Sequence, residues 1–237
     1  MPASGACVPR EETREEERNH RVGEIIDAVL ARYALGVWEE EVVRAREEWL
    51  ARAGRVYDDE RSFEYRLSNF QEWYAIHRPL KGGEVPVVRY LVEERPRLEA
   101  CDAACLAALC RAQWSLYRVL RREEGMVSLF DMLRGGRFDV AVAPSLPGFE
   151  PGDVFEARII GFGGSLRFTR AFLFHPVEAA RSIEAYVGVA LGRGESADTI
   201  LFRLAQARLR CDRYRNIAAD RIYEQALLRQ RTEGGGQ

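Results

Sequence analysis

The apolar residues of this chain change their spacing twice, and a helix and a strand bury side chains at different periods, so the two changes divide the fold before any residue is assigned a role. From Val22 the apolar positions recur every three or four residues through Ile25, Ile26, Val29, Leu30 and Tyr33, which predicts an amphipathic helix. Gly36 punctuates, and Trp38, Val42, Ala45, Trp49 and Ala53 predict a second helix that stops at Gly54 and pairs with the first as an antiparallel hairpin. A third helix begins near Asp59 and carries Phe63, Leu67, Phe70, Trp73 and Tyr74 before Pro79. Pro86 opens a short fourth helix, and a fifth runs from about Leu98 to Gln113.

At Trp114 the spacing shifts to alternation. Leu116 to Leu120, Val127 to Phe130, Phe138 to Val142, Val154 to Ile160 and Leu166 to Phe174 are short runs separated by Glu124-Gly125, Gly135-Gly136, a proline-rich connector and Gly163-Gly164. Five consecutive strands between about 115 and 174 predict a small antiparallel barrel, either SH3-like or OB-like. After Pro176 the helical period returns, with Ser196 as the cap of a long last helix bearing Ile200, Leu204, Ala207, Cys211, Tyr214 and Ala218 on one stripe. The expected class is therefore α+β: a flexible lead-in at 1–17, helices over 18–113, the barrel over 114–175, a C-terminal helical pair over 176–231 and a disordered tail at 232–237.

Three segments within this plan carry a resemblance. Phe70-Gln71-Glu72-Trp73-Tyr74, Arg78-Pro79-Leu80, Val85-Pro86-Val87 and Tyr90-Leu91 form the first. Ser115-Leu116-Tyr117-Arg118-Val119 and Leu129 to Gly135 form the second, and Pro151-Gly152-Asp153 with Ala157-Arg158 the third. Together, over roughly residues 63–175, they resemble an uncharacterised bacterial region found alone or beside SEC-C metal-binding segments. The resemblance implies the same order of helices then barrel and supplies no activity. The chain lacks the closely spaced Cys and His of the metal-binding segments, so the resemblance does not imply zinc.

The totals exclude several classes of function. A net charge of −2 gives no global basic field of the kind that holds nucleic acid. Lys81 is the only lysine among 35 basic residues, a bias that a GC-rich genome explains without any arginine-specific role. No apolar run approaches the roughly 18 residues of a membrane span. Five cysteines, an odd number with Cys101, Cys105 and Cys110 close together, do not form a secreted disulfide framework, and Met1 to Pro9 lacks the pattern of a signal peptide. A cytoplasmic location is expected.

No motif of chemistry survives inspection. Cys101 and Cys105 share a helix face but Cys110 turns away, and the surrounding alanines make all three packing residues. His20, His77 and His175 lie in no metalloenzyme spacing, the glycine pairs belong to no phosphate loop, and no serine sits in a nucleophile elbow. Asp58-Asp59-Glu60 reads as a helix cap. The expectation is thus no catalytic, cofactor or metal residue, with His77, Asp131 and His175 the first to inspect should a pocket form around them.

Two features are candidates for meeting a partner. Arg203, Arg210 and Arg221, with Arg213 beside them, form a basic stripe on the last helix that suits phosphates or a partner surface. Arg158, Arg167 and Arg170 with Phe162, Phe168, Phe172 and Phe174 suggest a stacking platform, but Phe168, Phe172 and Phe174 alternate on one strand face with Leu166, which places them inside the barrel. The leading expectation is a non-catalytic module that binds a protein partner or itself, presenting an apolar patch near Trp38, Trp49, Trp73 or Tyr74. A nucleic-acid-associated barrel using the arginine stripe is the alternative, and an enzyme with a site assembled only in space ranks third.

Overall fold

The computed structural model of the chain describes residues 11–233. Cys7, the first ten residues of the expected lead-in and residues 234–237 of the expected tail lie outside the described residues. Helix α1 (Glu11–Tyr33) starts earlier than expected because the acidic run at 11–17 is itself helical. Its carboxylates meet the barrel: Glu15 pairs with Arg167 at 2.9 Å, and Glu16 accepts from the Ser145 backbone N–H at 3.2 Å.

Four more helices follow: α2 (Glu39–Ala53), α3 (Phe63–Ile76), α4 (Pro86–Glu94) and α5 (Ala100–Leu109). The expected α1–α2 hairpin does not form its own layer. Helix α1 packs on α3, α4 and α5, while α2 packs on α7 (Ala197–Arg213) and α3. The aromatic residues decide this arrangement. Trp49 of α2 meets Trp73 of α3, Trp114 and Phe202 of α7 with ring centroids 5.3, 6.3 and 5.0 Å away, so α2 is drawn to the C-terminal helices. Trp49, Trp73 and Tyr74 are buried, so the expected apolar patch is absent at these three, whereas Trp38 is half-buried beside exposed Leu35 and Val37.

The barrel is built from β1 (Gln113–Glu123), β2 (Met126–Asp131), β3 (Arg137–Ala141), β4 (Val154–Phe162) and β5 (Ser165–Phe168). Long β1 pairs antiparallel with β4 through its first half and with β2 through its second. The ring closes where β3 meets β5 at Ala141 and Arg167, and that contact is parallel. The expectation of a purely antiparallel meander is corrected accordingly. The circular order β1-β2-β3-β5-β4 with one parallel seam is OB-like, since an SH3-like meander would be antiparallel throughout. Phe149, from the connector after β3, fills the barrel and stacks on Phe168 at 5.2 Å.

The last expected strand is interrupted. β5 ends at Phe168, residues 169–172 leave the ladder, and β6 (Leu173–Phe174) returns to β4. Leu166, expected inside, is on the outer face, while Phe168 and Phe172 are buried. Beyond it lie α6 (Ala180–Gly192), α7 capped by Ser196, and α8 (Ala219–Glu233). One long last helix was expected; instead the chain turns at 214–218 and α8 folds back on α6 and α7. The reversal buries Ile222 and Tyr223, which a straight helix would carry away from the body.

Strands β1 and β4 form a wall between two cores. Tyr117, Val119, Phe155, Ala157 and Ile159 face the barrel interior, while Trp114, Leu116, Val154, Ile160 and Phe162 face the helices. Alternation along a strand allows this, and burial on both faces explains why β4 is enclosed from Val154 to Ile160.

Candidate functional site

The helix-facing side of that wall carries charge. Arg158 and Glu156, two residues apart on β4, are both fully enclosed. Arg158 lies over the Trp114 ring at 4.8 Å and points Nη1 to Glu72 Oε2 at 3.3 Å. Glu72, on α3, also accepts from Thr169 Oγ1 at 2.7 Å and from the backbone N–H groups of Arg170 and Ala171 at 2.9 and 3.1 Å. The carboxylate therefore holds the interruption between β5 and β6 while opposing the buried guanidinium. A few ångströms along the wall, His175 Nδ1 meets the Tyr223 hydroxyl at 2.6 Å and its Nε2 lies 3.3 Å from Glu156. Burial pushes the Glu156 carboxyl above its usual range, and His175 opposes that rise.

These groups have the composition of a reactive cluster without its access. His77 ends α3 with its ring stacked 5.8 Å from Trp114 and its Nε2 enclosed, and burial, with Arg158 and Arg134 nearby, lowers its pKa to about 3. Asp131 accepts from Gln113 Nε2, Ser115 Oγ and the backbone of Leu133 and Arg134 at 2.6 to 3.0 Å, which makes it the pin of the turn after β2. Burial lifts the Cys105 thiol to about 12, far from a nucleophile's range. No group of three or more His, Cys, Asp or Glu residues suited to a metal ion occurs among the described residues.

The arginine stripe is divided between two helices. Arg203, Arg210 and Arg213 lie on α7, and Arg221 on α8 beyond the turn. Arg203 pairs with Glu195, and Arg213 with Glu60 at 2.7 Å; Arg210 and Arg221 are exposed and make no ion pair among the described residues. Of the arginines set beside the barrel phenylalanines, Arg158 and Arg167 are buried and Arg170 pairs with Asp27 at 2.5 Å. Phe162 and Phe168 are buried and offer no face to a base, while Phe172, also largely buried, reaches the surface at a cleft beside Arg170.

Two open grooves lie at one end of the barrel. A groove of about 760 Å³ runs between the β1–β2 turn (Glu124 to Met126), the end of β3 (Ala141, Val142), the β4–β5 turn (Gly163 to Ser165) and the α1 side chains Glu15 and Arg18. A second groove of about 600 Å³ continues from Glu124, Gly125, Met126 and Val142 towards the proline-rich connector at 143–151. Gly163 has φ +68°, and a Cβ there would meet Arg18 Nε at 3.0 Å, so glycine lets α1 close against this turn.

The lining carboxylates are mostly paired within the chain: Glu15 meets Arg18 at 2.6 Å and Arg167 at 2.9 Å, Glu123 meets Arg121 at 3.0 Å and Glu150 meets Arg122 at 3.8 Å. Glu124 has no ion pair among the described residues, and Met126 supplies exposed apolar surface beside it. Glu124-Gly125 and Gly163-Gly164 are legible as turns in sequence, but their convergence with α1 is set by the barrel's closure. No protein-family model, curated protein or solved structure matches this chain.

Proposed function

We propose that this chain is a non-catalytic binding module whose barrel end takes an extended polypeptide bearing cationic and apolar side chains. The observation that carries the reading is Glu124, an exposed carboxylate with no ion pair among the described residues, standing beside exposed Met126 where the two grooves meet. The turns between β1 and β2 and between β4 and β5 are where OB-like barrels receive extended ligands. The Glu124 carboxylate repels a phosphate backbone and attracts Lys or Arg, while Met126 and Val142 offer the apolar contact that anchors a peptide. The histidines and buried carboxylates that chemistry would use do not line either groove. A bacterial cytoplasmic protein, or a second copy of the chain, is the partner class proposed.

Arg210 and Arg221 favour a second reading, a nucleic-acid contact across α7 and α8, because both guanidiniums are exposed without an ion pair among the described residues. That contact would weaken steeply with salt. The two readings separate by photo-crosslinking from Met126, with Val189 on α6 as an exposed control position. Nuclease-resistant polypeptide adducts at Met126, reduced by Glu124→Lys, are expected. Nucleic-acid adducts, or equal adducts at both positions, would overturn the proposal.

A further inference from the structure

A further cleft of about 360 Å³ lies between α3, α7 and the interrupted strand at 170–174, and adjoins the second groove at Pro147. Phe172 and Phe174, their rings 6.2 Å apart at 27°, contribute apolar surface with Pro147, and Arg170 and Arg208 complete the lining with Tyr65. The volume is at the small end of ligand pockets. What distinguishes the cleft is the direction of its hydrogen bonds. The Tyr65 hydroxyl donates to Asp212, Asn69 donates to the Phe172 carbonyl at 3.0 Å, and Arg208 Nε donates to the Phe174 carbonyl at 2.8 Å. The usual acceptors of such a site are therefore engaged from behind.

The donors that remain belong to the two guanidiniums. Arg170 uses Nη2 for Asp27 and Arg208 uses Nη1 for Asp212, both at 2.5 Å. Arg170 Nε and Nη1 and Arg208 Nη2 have no protein partner among the described residues, and neither aspartate lines the cleft. Each ion pair holds its guanidinium in place, so a ligand does not bear the full cost of ordering two long side chains. Planar N–H donors beside aromatic surface suit an oxyanion on an apolar body.

We propose that this cleft binds a small amphiphilic oxyanion, an aromatic or aliphatic body carrying one carboxylate or phosphate head. The cleft shares Pro147 with the second groove but uses Arg170 and Arg208 where the peptide reading uses Glu124, so the failure of either leaves the other standing. Titration calorimetry of the whole chain tests it with phenylacetate, phenyl phosphate, the neutral phenylacetamide and acetate. The expected result is binding of one or both aromatic anions at least about tenfold tighter than the amide or acetate, as charged hydrogen bonds require. The carboxylate and phosphate arms show which head the site prefers.

Arg170→Gln should weaken binding by about tenfold. Ser68→Phe, which fills the cleft from α3 without touching either arginine's ion pair, should abolish it at an unchanged unfolding midpoint. Equal binding of amide and anion, no anion binding at millimolar concentration, or binding indifferent to Ser68→Phe would each overturn the assignment.

Discussion

Replacing Glu72 with alanine tests the central wall of the fold more severely than any surface change. The carboxylate is fully enclosed and serves Arg158, Thr169 and two backbone N–H groups. Its loss strands a buried guanidinium, which costs about 3–5 kcal/mol, and leaves Arg170 and Ala171 N–H groups short of an acceptor at about 1 kcal/mol or more. The terms overlap because all four groups share one site, so about 5 kcal/mol is expected for Glu72→Ala. For a chain of this size that corresponds to a fall of roughly 10–20 °C in melting temperature. Glu72→Gln keeps an acceptor oxygen and should lose about half as much. The double change Glu72→Met with Arg158→Met removes both charges and should be more stable than Glu72→Ala. Urea unfolding followed by tryptophan fluorescence reads all three, since Trp114 lies under the Arg158 guanidinium. A loss below about 1 kcal/mol for Glu72→Ala, or a double variant less stable than the single one, would refute the reasoning.

Three further outcomes follow from other positions. The His77 pKa is lowered from 6.5 to about 3 in the folded chain, so the unfolded chain binds the proton first. Stability is present above about pH 6.5 and is lost as pH falls, by on the order of 1 kcal/mol per unit; His77→Phe should flatten that slope in urea titrations between about pH 6.5 and 5. Glu156 behaves oppositely: its raised pKa favours the folded state below the unfolded carboxyl's value, and this contribution is lost as pH rises through the folded one. Glu156→Gln should therefore gain in unfolding midpoint over the wild type as pH rises from about 4 to 7. Gly54 ends α2 at φ +93°, where a Cβ would approach Leu209 Cδ2 to 2.8 Å; Gly54→Ala should cost about 2 kcal/mol by thermal unfolding.

Periodicity made the helices and the barrel segment legible because each buries one face against a neighbour. The 3.6-residue spacing at 22–33 and the alternation after Trp114 survive in α1 and the β1–β2 hairpin. Local spacing does not say which strand edge meets which, so the parallel β3–β5 contact, joining residues 141 and 167, was outside its reach. The break at 214–218 contains neither Gly nor Pro, and its cause lies in burying Tyr223 against His175. One signal for the buried network was present: Glu156 and Arg158 interrupt the apolar run Val154 to Ile160 at alternate positions, which places both on one face of a strand. A charged pair on one face of an otherwise apolar strand implies a partner in the adjoining layer, and Glu72 sits amid the aromatic face of α3. The grooves were not legible, since Glu15 lies in a run that reads as a solvated lead-in and nothing local brings it to the barrel turns.

Selection of a random-peptide library on the immobilised full chain, followed by amide-exchange mapping of the enriched peptides, tests the proposed binding role most directly. Enrichment of peptides with Lys or Arg beside apolar residues is predicted, with protection at 124–126, 141–142 and 163–165 and loss of enrichment on Glu124→Lys. Enrichment of acidic peptides, or protection confined to α7 and α8, would contradict it.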